Sequence, residues 1–552
     1  MRMGYLSNRV SRVFLLILGL AVLPLFVGCG GKKTAVELGN EQQILHKGNG
    51  PEPEDLDPHI VEGVPEHRIL LALFEGLVTY DPVNSRPVPG AAKSWDVSED
   101  GRLYTFHLRD DAKWSNGDLV TAEDFVFAFQ RALSRNLGAP YADRLYALKG
   151  GEDYHKGVID DFSKVGVKAL NEHTLQLELV KPLPYFLSLL TGMTWYPVHK
   201  DTLLKHGKID QRGTAWTRAG NLVSNGPFKL KNWKIGTEVV VEKNPNYWDA
   251  SNVKLKEIHF HSIENPNTEE RAFKTGGLHM TETLPLPKVA SYKGTPYLFT
   301  APYFSNYAYG FNTQKPPFDD VRVRQAMSLA LDRRAIVENV TKRGEDPAFS
   351  FVPPGAAGYA TTAKLEENVE RAKELLAEAG YPNGEGFPPV TLIYNTSDIH
   401  RSIAEALQHM WAKNLNIHVE LVNQEWKVFL QERSSRNNNL YRFGWVGDYL
   451  DPNAFLELYT SDSGNNNSGW KNAEYDNYIL QANSTLDQKK RFEAFDKAEN
   501  LLMKELPVLP LYIWVTTYLV RPEVKGWYPN LMDIHPYNGV YLDASAGTQE
   551  MK

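Results

Sequence analysis

Three groups of residues in this chain have types and spacings that chemistry could use. The first runs Arg442-Phe443-Gly444-Trp445-Val446-Gly447-Asp448. It sets opposite charges a few residues apart, with two glycines and a large ring between them. Glycine lets backbone come close to a ligand. A carboxylate there could hold an ammonium, and a guanidinium could hold a carboxylate. A free peptide carries one of each, although a solvated surface ion pair satisfies the same residues. The second group is His400-Arg401, in the first turn of an expected helix, where free backbone amides favour anions; a capping or surface histidine is the alternative. The third is Ile258-His259-Phe260-His261. Alternation puts both imidazoles on one face of a strand, where they could ligate a metal. No third ligand is spaced nearby, so the reading is a plain strand and no metal site.

The patterns of known catalysts are missing. The sequence contains no His-Glu-x-x-His, no Gly-x-Ser-x-Gly elbow, no Walker loop and no Rossmann glycine set. Carboxylate pairs occur, as in any chain of this size, but spacing singles out none. A functional case must rest on binding, with no cofactor.

The elements that would position these groups can be read from periodicity. Val390 to Tyr394 reads as a strand. Ser397 or Asp398 caps a helix with Ile399, Ile403, Leu407 and Met410 on one face, and Ile417 to Val422 reads as a second strand. Such a unit implies a parallel pair with a right-handed connection, and ligands bind where its strands end and helices begin. Leu103 to Leu108 and Leu175 to Leu179 alternate as half-buried strands. Asn116-Gly117 is a hairpin signal. Thr121 with Asp124 predicts a helix N-cap before an apolar stripe of Phe125, Phe129 and Leu133. Ala139-Pro140-Tyr141 lies in a loop, where a tyrosine meets either ligand or packing. Gly226 to Glu242 reads as two strands, and Leu511 to Val520 as another. Val321 to Val340 reads as one amphipathic helix. Asn423-Gln424-Glu425-Trp426 leads into a helix ending near Arg433, and the tail after Asp543 looks disordered.

Length and composition fit a large soluble protein. At 552 residues the chain has material for several domains. The formal charge is -7, and removing Arg2, Arg9 and Arg12 of the leader takes it to about -10; this speaks against a nucleic-acid binder. The basic start and the apolar run from Val13 to Val27 suit a signal peptide over 1–28. Phe26-Val27-Gly28-Cys29 resembles a bacterial lipobox, with Phe26 in place of the usual leucine. It implies that Cys29, the only cysteine, is lipidated and anchors the chain to a membrane. Residues 29–43 then read as lipidated cysteine and flexible tether.

The motifs together resemble the extracytoplasmic oligopeptide-binding proteins of ABC importers, from about Gly48 to Val540. The matching stretches include Leu56-Asp57-Pro58-His59, Glu62-Gly63-Val64-Pro65-Glu66, Tyr104-Thr105-Phe106-His107-Leu108 and Ala112-Lys113-Trp114-Ser115-Asn116-Gly117. Asn244-Pro245-Asn246-Tyr247-Trp248, Asn395-Thr396-Ser397-Asp398 and the Gly444 to Tyr449 segment follow in order. The resemblance implies an α/β fold of the periplasmic-binding-protein type. Two α/β lobes joined by a hinge close over the ligand, and an extra α/β domain is added. Lobe I would comprise 44–74, 200–304 and 516–552; the extra domain II 75–199; lobe III 305–515.

The resemblance also implies site roles. Asp448 would bind the α-ammonium of a short peptide, with Gly444 and Trp445 offering backbone or wall contacts. Glu62, Val64, Tyr141 and Tyr303 would line the cleft. Arg433, Arg442 and His400 would receive carboxylates of peptides of different length, and Trp426 and Trp514 would line pockets. Ala308 and Gly310 depart from a tyrosine and a glutamate of well-known members, and Thr341 from a lysine. The implied function is a monomeric receptor for short peptides that delivers them to an ABC permease, without catalysis. A murein-peptide receptor on the same scaffold, an envelope hydrolase and an envelope chaperone are the alternatives.

Overall fold

Three larger sheets position the site, and alternating burial accounts for each. They are seen in a computed structural model that describes residues 33–546. In the first sheet, Ile44–Gly48 lies parallel to Glu257–His261, which continues antiparallel to Glu238–Lys243 and Phe228–Lys234. Leu45, Ile258, Phe260, Val239 and Val241 are fully buried on one face, as a period of two requires. The second sheet is Ala92–Val97, Leu103–Leu108, Thr174–Glu178 and Val167–Asn171, in that spatial order. Helix Ala122–Ala132 packs beside it. Its Thr121 and Asp124 form the expected capping box, and Phe125, Phe129 and Leu133 are core residues. These two sheets share one continuous hydrophobic core.

The third sheet has six strands and its own core. In spatial order they are Asp346–Pro347, Val508–Leu519, Leu298–Phe311, Leu440–Val446, Val390–Asn395 and Val419–Gln424. Val390–Asn395 and Val419–Gln424 are parallel, joined by helix Asp398–Leu415, as the apolar pattern required. Leu440–Val446 runs parallel to Val390–Asn395, so both strands end at the same edge.

Two long strands connect the cores. Leu298–Phe311 and Val508–Leu519 pair antiparallel, but their register breaks between Pro302 and Asn306. Before the break Phe299 stacks on Tyr518 beside the first core; after it Phe304 and Tyr307 enter the core of the third sheet. A bulge at the crossing between two cores is where a pair of strands bends most easily.

Two expected elements differ. Val321 to Val340 is not one helix: Val321–Leu329 stops, and Arg333–Ala335 starts anew and runs into Ile336–Thr341. Asp332 caps the restart by accepting from the Ala335 N–H at 2.8 Å, a competition for backbone donors that apolar periodicity does not reveal. The expected tether is ordered from Thr34: Ala35–Gln42 is a helix with a Thr34/Glu37 capping box, and it buries Val36. Ala544–Ala546 forms a short turn after Asp543. The leader, Cys29 and the last six residues lie outside the described residues. Among the described residues, no helix is long and apolar enough to cross a membrane.

Candidate functional site

A cleft with about 220 Å³ of water-accessible space gathers residues from distant parts of the chain. Glu62, Gly63 and Val64 border it at the start of helix Val64–Leu73, where Pro65 fits the first turn. Val64 is 54% exposed, an apolar surface facing the cleft. Tyr303 arrives from the register break in Leu298–Phe311. Tyr141 arrives from the loop before the short turn Ala142–Ala147, with the Arg144 guanidinium 4.3 Å from its ring centre. Val446, Gly447 and Asp448 enter from the end of Leu440–Val446.

The turn carrying Asp448 is held tightly. The Gly447 N–H donates to the Phe304 carbonyl at 2.8 Å. A Cβ on Gly447 would overlap the rings of Phe304 and Phe455, so a glycine is needed for close approach rather than for a special φ. Asp448 itself is 57% exposed, with Arg144 3.5 Å away across the cleft. Asp448 thus faces the cleft and is solvated. The wall below is charged. Arg68 pairs with Glu282 and lies near Asp533, whose carboxylate also meets His535 and accepts from the Tyr518 hydroxyl at 3.0 Å.

A second cluster lies farther back on the same strand. The Arg442 guanidinium sits 5.0 Å from the Tyr307 ring centre and 5.7 Å from that of Trp514. The Tyr307 hydroxyl and His400 Nδ1 are 3.0 Å apart. Burial and the nearby Arg442 charge push the His400 imidazole down to about 4, so it is neutral near pH 7. Arg433 sits over Phe429 and is held below the ordinary guanidinium range by burial, with Arg442 adding repulsion. Neither Arg433 nor Arg442 has a carboxylate partner among the described residues, and each leaves its Nε without a hydrogen bond. Buried cations without anions are costly, so this cluster is suited to receive a ligand's negative group.

The remaining expected residues are more peripheral. Trp514 is half-buried and donates to the Tyr512 hydroxyl at 3.3 Å. Trp445 is half-buried, with its indole N–H unpaired. Trp426 is 47% exposed and stacks on Phe429. Gly444 is packed against the Asn306 carbonyl and Arg442. Gly310 has a clear reason: any Cβ there would collide with the Tyr441 ring, which occupies the space that a larger residue would need.

Sequence reasoning missed Arg144, His67, Arg68, Met193, Thr194 and Asp533 in the cleft wall. None stands in a local pattern, because they reach the cleft from separate parts of the chain: the helix Val64–Leu73, the turns Ala142–Ala147 and Met193–Trp195, and the segment around Asp533. His67 is pushed down to about 4 by burial and by Arg68 and Arg144. The histidine pair of the first sheet also gains an unexpected neighbour. No third ligand is near in sequence, but parallel pairing sets His46 opposite His259.

Residues 86–467 match the model of the bacterial extracellular solute-binding proteins, family 5. The chain belongs to this family, and its fold is that of the large periplasmic binding proteins. It is 38% identical over 497 residues to the periplasmic oligopeptide-binding protein OppA of Escherichia coli K12, covering 88% of this chain and 90% of that one. Among solved structures, an unliganded open form of the murein tripeptide-binding protein MppA is similar, with a TM-score of 0.83 and 35% identity over 91% of this chain and 98% of that one. The Haemophilus influenzae OppA complex with RPPGFSPFR has a TM-score of 0.67 and 34% identity, covering 91% and 99%. At similar identity and coverage the TM-score is higher against the open form, in line with the solvated Asp448.

Proposed function

We propose that this protein is the solute-binding receptor of an ABC importer. It captures short peptides by backbone and termini between two closing lobes and hands them to a membrane permease. The carrying observation is the pair of oppositely charged stations at the two ends of one strand segment. Asp448 lies in the cleft among Tyr303, Tyr141 and Glu62, and the partly buried Arg442–Arg433–His400 cluster lacks an anion partner among the described residues. Six residues of extended chain span roughly 20 Å, the scale of a short extended peptide. The ammonium would meet Asp448 and the carboxylate the basic cluster. Main-chain pairing would bind without reading side chains, and water would adapt the pockets.

Closure proceeds by bending at the register break near Tyr303, with 44–74, 200–304 and 516–552 moving against 305–515. The ligand shifts the balance toward the closed form, which the permease reads. The protein is a receptor and performs no chemistry. Cleavage before Cys29 and its lipidation would hold the mature monomer at the outer face of a membrane. Loss of membrane association in Cys29→Ser tests that part.

Calorimetric titration with short peptides of mixed sequence tests the main reading. Saturable binding to free-ended peptides is expected, and no binding to any of them would overturn it. A murein-peptide receptor is the second reading, favoured by the similarity to MppA. Murein tripeptide outcompeting ordinary peptides of equal length would select it.

A further inference from the structure

The histidines of the first sheet form a cluster that peptide capture does not use. Pairing of Ile44–Gly48 with Glu257–His261 sets His46 opposite His259, and His261 follows two residues on, on the same face. One ligand atom from each of the three rings lies within 4.8 Å of the other two. His46 Nδ1 and His261 Nε2 are 3.1 Å apart. Two nitrogens bound to one tetrahedral zinc at about 2 Å each stand roughly 3.3 Å apart.

The surroundings also suit a cation. Glu238, from the next strand, places Oε2 3.0 Å from His259 Nδ1 and 3.7 Å from His261 Nδ1. Glu257 Oε2 lies 3.2 Å from His259 Nε2. A carboxylate at the far nitrogen of an imidazole is the usual outer support of a metal-bound histidine. Here the two carboxylates bracket the His259 ring, and Glu238 also faces His261 Nδ1, the nitrogen away from His46. The side chains of His259, His261 and Glu238 keep 20 to 24% exposure, so an ion has a path in.

We propose that His46, His259 and His261 bind one divalent transition ion of the zinc class, with water in the fourth position. Imidazole donors select Zn²⁺, Cu²⁺ or Ni²⁺ over Mg²⁺ and Ca²⁺. None of the three residues lines the cleft, so the ion would fasten Ile44–Gly48 to the strand Glu257–His261 and would not touch the peptide.

The test uses untagged full-length protein stripped with chelator. Titration with ZnCl₂ is expected to show one equivalent bound, with MgCl₂ and CaCl₂ giving none. Co²⁺ is expected to give the intense visible bands of a tetrahedral nitrogen-rich site. His46→Gln should weaken Zn²⁺ binding roughly tenfold or more while leaving peptide titrations unchanged. No Zn²⁺ binding by folded wild-type protein would overturn the proposal, as would a weak octahedral Co²⁺ spectrum. Wild-type Zn²⁺ affinity in His46→Gln would overturn it too. Should that variant fail to fold, the wild-type Co²⁺ spectrum decides.

Discussion

Replacing Asp448 by alanine removes one carboxylate from the cleft, and its consequence can be worked from the geometry. In the open form the Asp448 side chain is 57% exposed and 3.5 Å from Arg144. Attraction between unit charges about 4 Å apart is about 1 kcal/mol in water and about 4 kcal/mol at the effective dielectric of a protein cleft. The open pair with Arg144 sits near the first limit, where exposed ion pairs contribute little. A peptide ammonium enclosed by lobe closure sits near the second. The difference of about 3 kcal/mol is roughly a 10²-fold rise in Kd. The assay is titration calorimetry with one peptide in two forms, free-amine and N-acetylated, against wild type and Asp448→Ala. The free-amine peptide should lose about 10²-fold, and the acetylated one no more than about threefold. Equal losses for both forms would refute the ammonium contact, since a general distortion of the cleft does not distinguish them.

The basic cluster makes the mirror prediction. Arg442→Met should weaken peptides with a free carboxyl end by about 2–3 kcal/mol at the length that reaches it, and C-amidated peptides little; calorimetry with a length series checks this. In the core, Arg131 donates from two nitrogens to the Asp57 carboxylate, and both residues are almost fully buried. Arg131→Met strands that carboxylate and should cost about 3–5 kcal/mol in denaturant unfolding. Gly310→Ala should destabilise by about 1–3 kcal/mol because Tyr441 must move, read as a drop in Tm. Glu499 accepts from the Phe351 and Val352 N–H groups and the Tyr359 hydroxyl, and burial pushes its carboxyl up to about 7. Its folded value lies above its unfolded one, so its contribution is present below pH 4.5 and is lost as pH rises through about 7. Glu499→Gln should flatten this part of the Tm-against-pH curve. Buried histidines act in the opposite direction but are common to both proteins.

What the chain's own residues determined was local. Capping at Thr121, the strand–helix–strand unit around His400, and the alternation in Leu103–Leu108 follow from side-chain chemistry and periods of 2 and 3.6 residues. The ordered motifs also carried the family, because they preserve turns and pairings along the whole chain. What only tertiary structure decided were distances between residues far apart in sequence. Arg144 meets Asp448 across more than 300 residues, and His46 meets His259 across more than 200. No periodicity encodes such meetings, since they depend on which strands become neighbours. The break of the Val321 to Val340 helix went unseen because Asp332 competes for a backbone donor without disturbing the apolar pattern. The exposure of Asp448 belongs to the open arrangement of the lobes: a carboxylate's type is written in the chain, but its share of water is set by how far apart the walls around it stand.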